Sequence, residues 1–226
     1  MQNQIPKSKI DNTELNITKI GLGCASIGNL YTPISTEQAF QVINASIQKG
    51  ITYFDTAPWY GTGLSEQRLG LALHNANIEY QISTKVGRFL IPDEEFEKDL
   101  IMQKIWQQRA PYKPNCHKDQ IDFYYKQLFE GQNAGIEALK QLKKEKKIKA
   151  FGGSINGNND KKYIEKYIND LLKNDADFLM ISGTPTLLDQ GFLEIPNFFD
   201  INIIVAAPYC SGILAGKQKT IFIKIK

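Results

Sequence analysis

Histidine is nearly absent from this chain. The two present, His74 and His117, are too few and too far apart to build a metal site. Cysteine is also sparse: Cys24, Cys116 and Cys210 form no CxxC pair and no metal-ligand spacing. An odd, scattered set of thiols fits a reducing compartment, so a cytoplasmic protein without disulfides is expected. There is no apolar run of about 18 residues and no basic-then-apolar leader, so neither a membrane span nor a secretory signal is indicated. A GxGxxG turn followed by an acidic ribose ligand is missing as well, which leaves a Rossmann dinucleotide site unsupported. Charge of one sign is not in excess either. The net charge is +3, and the one dense cationic stretch runs from Lys140 to Lys149. Leu142 and Ile148 sit among those lysines and no aromatic does, so the run reads as a solvated helix face, not as a nucleic-acid or lipid surface.

What is present is a chain of 226 residues, 42% hydrophobic, long enough to bury a core and most simply read as one domain over residues 1–226. Helical spacing with capping residues predicts helices over Thr36 to Lys49 (capped by Ser35, with Ala39, Val42, Ile43 and Ile47 inward), Ser65 to Leu73, Gly131 to Lys146 (Ala134, Ala138, Leu139 and Leu142 on one face) and Asp160 to Lys173. Short apolar or β-branched runs predict strands over Leu15 to Gly23, Ile51 to Asp55, Tyr80 to Lys85, Ile148 to Ile155, Phe178 to Ser182 and Ile201 to Ala206. Strands alternating with helices mean βαβ units around a parallel sheet. The expected fold class is therefore α/β, a (β/α)8 TIM barrel that is incomplete in two places. A helix over Phe96 to Gln108 is plausible, but the stretch that follows, Arg109 to Gln120, carries two prolines and makes a weak fourth strand. After Gly216 the chain closes with Lys217 to Lys226, leaving the eighth strand and a C-terminal segment missing and the domain truncated.

Three residues carry the chemistry. Asp55 ends one predicted strand, Lys85 ends the next, and Tyr60 lies in the loop just after Asp55. In a parallel barrel, such strand ends emerge side by side where catalytic groups sit. A free tyrosine titrates near 10 and is a poor proton-transfer group at neutrality. A neighbouring ammonium favours the phenolate, and a carboxylate can hold that ammonium in place. Lowering the tyrosine by about 2–3 units needs roughly 3–4 kcal/mol of differential stabilisation, within reach of a close, partly desolvated lysine. Any one of these residues alone reads as ordinary packing or surface. All three in one block do not.

The runs DTAPWYG (Asp55 to Gly61), SEQRLG (Ser65 to Gly70) and STKVG (Ser83 to Gly87) resemble the aldo-keto reductase family in order and spacing. ITKIGLGCASIGNLY near the start, TPTLLDQG (Thr184 to Gly191) and APYCSGILAG (Ala207 to Gly216) are similar to its sugar dehydrogenase branch. The resemblance implies NAD(P)-dependent hydride transfer on a small carbonyl or sugar substrate, with Tyr60 as general acid/base, Lys85 tuning it and Asp55 paired with Lys85. It also implies a histidine at the end of the fourth strand. His117 lies close to that position, though the apolar strand that should deliver it is absent, and a loop histidine is the competing reading. For the cofactor, NADP or NAD, the resemblance implies Asn156 at the carboxamide, Tyr209 facing the nicotinamide region, and Ser211, Gly212 and Leu214 in a loop whose backbone amides can meet the pyrophosphate. Packing is an equal role for Tyr209. Two readings stay open: an active aldose or aldehyde oxidoreductase, and a catalytically impaired barrel remnant acting as a binding or scaffold protein.

Overall fold

A computed structural model describes residues 5–87, 90–92, 112–114, 125–126, 128–131, 134–156 and 160–216. The helix expected over Phe96 to Gln108, His117 and the tail Lys217 to Lys226 lie outside the described residues. The chain separates into two compact units, Met1–Lys9 with Asn16–Gly135, and Ile10–Leu15 with Ile136–Lys226.

The first unit opens with an antiparallel pair, β1 (Lys7–Lys9) and β2 (Asn16–Thr18). Its centre is a parallel sheet in the order β3 (Leu22–Gly23), β4 (Tyr53–Asp55), β5 (Gln81–Ser83). The single strand expected over Leu15 to Gly23 is thus two strands in different sheets. The chain turns between them, where Lys19 N donates to the Pro6 carbonyl at 2.8 Å. Gly21 then passes the Tyr53 ring so closely that a Cβ there would lie 2.6 Å from it.

Helix α1 (Thr36–Gln48) starts as its sequence predicts: the Ser35 hydroxyl accepts from Gln38 N, and Gln38 Oε1 accepts from Ser35 N. Helix α2 (Leu64–His74) follows the loop after β4. Cys24, Ile27, Ala39, Ile43, Phe54, Leu69 and Leu73 form one buried cluster joining the sheet to both helices. Val42, expected inward, is exposed.

Where a parallel fourth strand was expected, β6 (Leu90–Pro92) pairs antiparallel with β7 (Tyr112–Pro114). A proline at one end of each strand suits a short ribbon better than a central strand, because proline cannot donate to a ladder.

In the second unit, β8 (Gly152–Asn156), β9 (Phe178–Ser182) and β10 (Asn202–Ala206) form a parallel sheet in the order β10–β9–β8. The register places Asn156, Ser182 and Ala206 at one level at the carboxyl edge. Helix α3 (Gly135–Lys144) precedes β8, and Ala138, expected on its buried face, is exposed. Helix α4 (Lys161–Lys173) is capped by the Asp160 carboxylate, which accepts from Lys162 N and Tyr163 N. Its Tyr167 and Leu171 lie on β8 at Gly153, where a Cβ would meet Tyr167 at 2.5 Å.

Candidate active site

Asp55 and Ser83 are register partners at the carboxyl ends of β4 and β5, and Lys85 follows two residues later. The Lys85 ammonium donates to both Asp55 oxygens, at 3.0 Å (Oδ1) and 2.8 Å (Oδ2), and to the Thr56 carbonyl at 2.9 Å. Both partners of the ion pair are substantially shielded, with side chains 29% and 13% exposed. Lys85 Nζ also lies 4.9 Å from the centre of the Tyr60 ring. The three residues singled out from the sequence therefore meet.

The loop between β4 and α2 holds Tyr60 through its backbone. Tyr60 N donates to the Ala57 carbonyl at 3.0 Å, and the Tyr60 carbonyl accepts from Ser65 N at 3.1 Å. Gly61 adopts φ +64, and a Cβ there would lie 2.2 Å from the Gly28 carbonyl oxygen; a Cβ at Gly28 would lie 2.7 Å from the Tyr60 oxygen. The two glycines interlock the Ser26–Gly28 turn with the loop between β4 and α2. Arg68 of α2, itself buried, grips the same turn: Nη1 donates to the Ile27 carbonyl at 2.7 Å and to Asn29 Oδ1 at 3.1 Å, and Nη2 to the Ile34 carbonyl at 2.8 Å.

A direct test separates backbone strain from this interlock. Gly63 also has positive φ (+88), yet a Cβ there meets nothing within 4 Å. Gly63→Ala is expected to cost about 1 kcal/mol, the left-handed penalty alone. Gly61→Ala adds a clash with backbone and is expected to cost at least about 2–3 kcal/mol. Urea unfolding of the two variants would measure the difference, and equal midpoints would show that the interlock is not under close packing.

Electrostatics corrects one expectation. Lys85 does pull the Tyr60 phenol toward ionisation, as a cation and as a hydrogen-bond donor, but burial outweighs it and Asp55 and Cys24 oppose it. The net shift is upward from the ordinary value of 10.0. Cys24, wholly buried beside the site, is pushed up to about 12 by burial and by Asp55. Its thiol is therefore packing, not a nucleophile.

Several residues around the site were not found from sequence. Ser83 donates to Asp55 Oδ1 at 2.7 Å and is bonded to the Tyr53 hydroxyl at 2.9 Å. Ser65 donates to the Cys24 carbonyl at 2.7 Å and is bonded to Thr56 Oγ1 at 2.9 Å. Thr84 donates to Glu66 at 2.6 Å. The nearest signal was side-chain alternation: Ser83 and Lys85 are two residues apart and share a face of the expected strand, and the observed register sets Ser83 beside Asp55.

In the second unit, Asn156 is exposed at the end of β8, and Tyr209 follows β10 with 64% of its surface exposed. Ser211, Gly212 and Leu214 lie in the turn Cys210–Ala215. The amides of Gly212 and Leu214 both donate to the Tyr209 carbonyl, at 3.0 and 3.2 Å. Two of the three amides expected to meet a phosphate are thus engaged within the turn itself. A cavity of about 400 Å³ in this unit lies at the opposite, amino end of the sheet, among Asp11, Asp177 and Asn202, and contains none of the sequence-predicted site residues.

The fold has solved counterparts. An aldo-keto reductase from Bacillus halodurans in its holo form superposes with a TM-score of 0.63 at 21% identity, covering 96% of this chain and 70% of that one. This likeness makes the fold an α/β fold of TIM-barrel type. The model of the aldo/keto reductase family matches residues 19–225, and the chain belongs to that family of oxidoreductases. Among curated relatives it is similar to D-threo-aldose 1-dehydrogenase of a Pseudomonas species, 31% identical over 90% of this chain and 69% of that protein. It is likewise similar to pyridoxal 4-dehydrogenase of Microbacterium luteolum, 29% identical over 94% of this chain and 74% of that protein. Both names fall in the sugar dehydrogenase branch that the sequence motifs resemble.

Proposed function

We propose that this chain interconverts an aldose or simple aldehyde and its redox partner, using NADP or NAD, with Tyr60 moving the proton. The observation that carries the reading is the Asp55–Lys85 pair held against the Tyr60 ring. Such a set moves protons but has no electrons to give, so the redox chemistry of this family needs a separate hydride donor or acceptor. The residues present fit a nicotinamide dinucleotide. The Asn156 amide offers one donor and one acceptor to a primary carboxamide. The exposed Tyr209 ring offers a face for stacking, and Gly212, at φ +98, brings backbone close to a ligand without a side chain.

When bound, the nicotinamide supplies or accepts the hydride. Tyr60 donates its hydroxyl proton to the substrate oxygen in reduction and takes it back in oxidation. Lys85 stabilises the phenolate left behind, and Asp55 fixes the ammonium by accepting on both oxygens. Burial of Tyr60 strengthens these charge interactions, because less water competes for them.

The test is an absorbance assay of nicotinamide oxidation state with NADP and NAD against a panel of aldoses and simple aldehydes. Turnover with any of them supports the reading. Among the described residues β6 and β7 pair antiparallel, which leaves open the second reading of a binding protein without turnover. Cofactor-induced quenching of tryptophan fluorescence with no turnover on the whole panel would establish that reading instead.

A further inference from the structure

We infer that Tyr53 and Ser83 are positioning residues whose hydroxyls form a hydrogen-bond relay that fixes Asp55 and, through it, Lys85 beside Tyr60. The inference rests on the catalytic reading above. Ser83 has one hydroxyl proton, and it goes to Asp55 Oδ1 at 2.7 Å. Its oxygen must then accept from the Tyr53 hydroxyl at 2.9 Å. The direction is therefore set: Tyr53 to Ser83 to Asp55. Strand geometry builds the relay, since Tyr53 and Asp55 are two residues apart on β4 and share a face, while Ser83 is the register partner of Asp55 on β5.

Each link constrains the next. Tyr53 is 8% exposed, and its phenol is pushed up to about 12, chiefly by burial, so it stays a neutral donor across the working range. Ser83 takes up one lone pair of Asp55 Oδ1 and leaves the carboxylate less free to rotate. Lys85 then faces a carboxylate in one orientation and cannot follow it away from the Tyr60 ring. The charged or titratable groups facing Tyr60 are Lys85 after β5, Asp55 ending β4 and Cys24 after β3. Those facing Tyr53 are Asp55 and Tyr60, and Glu66 on α2 is bonded to Thr84 beside Lys85.

Removing the Ser83 hydroxyl has a defined sign. Asp55 loses a donor, its charge is less shared, and Lys85 is less well held. Both changes make the Tyr60 phenolate harder to form, because Asp55 raises and Lys85 lowers the Tyr60 value. For Ser83→Ala the alkaline rise of the oxidation rate is expected to move upward by about 0.5–1 pH unit. Ser83→Thr, which keeps the hydroxyl on a strand-compatible side chain, should restore it. Tyr53→Phe should shift it the same way by less, since Ser83 can still donate to Asp55.

A second measurement needs no turnover. The Lys85 ammonium signal in nitrogen-15 spectra, identified by its loss in Lys85→Met, should exchange with water faster in Ser83→Ala and at the original rate in Ser83→Thr. A rate rise and an ammonium exchange both unchanged in Ser83→Ala would overturn the relay, as would a stability loss with an unmoved pH profile. If Ser83→Ala does not fold, the same two readouts on Tyr53→Phe decide the matter. Absence of turnover in the unsubstituted chain would sink the catalytic reading, while the exchange measurement would still judge the relay.

Discussion

Tyr60→Phe is expected to lower turnover by about 10²–10⁴-fold, the usual worth of a positioned acid-base group, while cofactor binding changes little. The substitution deletes one hydroxyl and keeps the ring against which Lys85 is placed. The backbone bonds that hold the residue, from Tyr60 N to Ala57 and from Ser65 N to Tyr60, do not involve the side chain. The fold should therefore survive, and the loss should fall on kcat more than on KM. The pH profile adds a sign. Burial holds the phenol above 10.0, so at neutral pH Tyr60 carries its proton and stands ready as a donor in reduction. In oxidation the active form is the phenolate, whose fraction grows tenfold per pH unit below the Tyr60 value. The oxidation rate should thus rise steadily through the alkaline range, and Tyr60→Phe should flatten that rise. A Tyr60→Phe enzyme as fast as the unsubstituted one, with the same profile, would remove Tyr60 from proton transfer.

The meeting of Asp55, Lys85 and Tyr60 was legible in the sequence because strand ends and loop spacing are short-range properties. Asp55 ends a strand after a β-branched and aromatic run, Lys85 follows the next strand, and only a parallel pairing brings them together. The ion pair follows from that pairing. Its consequence for Tyr60 did not follow. Proximity of a cation suggested a lowered phenol, but the balance depends on how much water the surrounding loop excludes, and burial is a tertiary quantity. The split of the first expected strand was hidden for a similar reason. Gly21 and Gly23 signal a turn locally, but not that it moves the chain to another sheet; that depends on the Tyr53 ring, on a different strand, which Gly21 passes. The local bonding of the expected pyrophosphate donors was also hidden. Gly212 and Leu214 have amides, but a short helical turn uses them on the Tyr209 carbonyl. Arg68 shows the reverse case: the sequence placed it only within the SEQRLG run, and the structure buries it as a donor to the Ile27 and Ile34 carbonyls and to Asn29 Oδ1.

Lys85→Met is expected to move the alkaline rise of oxidation upward by about 1–2 pH units, and so to cut oxidation at neutral pH by about 10–10²-fold. Lys85 is the one group acting to lower the Tyr60 value through both its charge and a hydrogen bond; burial, Asp55 and Cys24 all act the other way. Removing it also strands a carboxylate that is largely shielded from water and that, among the described residues, keeps the Ser83 side-chain bond. That loss should cost about 2 kcal/mol of stability, seen as a lower urea midpoint. The two effects separate the roles of the pair. Asp55→Asn leaves Lys85 in place and removes a charge that disfavours the phenolate, so by charge alone it should shift the rise downward. If holding Lys85 is the larger contribution of Asp55, the rise moves upward as it does in Lys85→Met. Comparing pH–rate profiles of the two variants on one substrate decides which contribution dominates. A Lys85→Met profile that overlies the unsubstituted one would show that the ammonium 4.9 Å from the ring centre does not set the acidity of Tyr60.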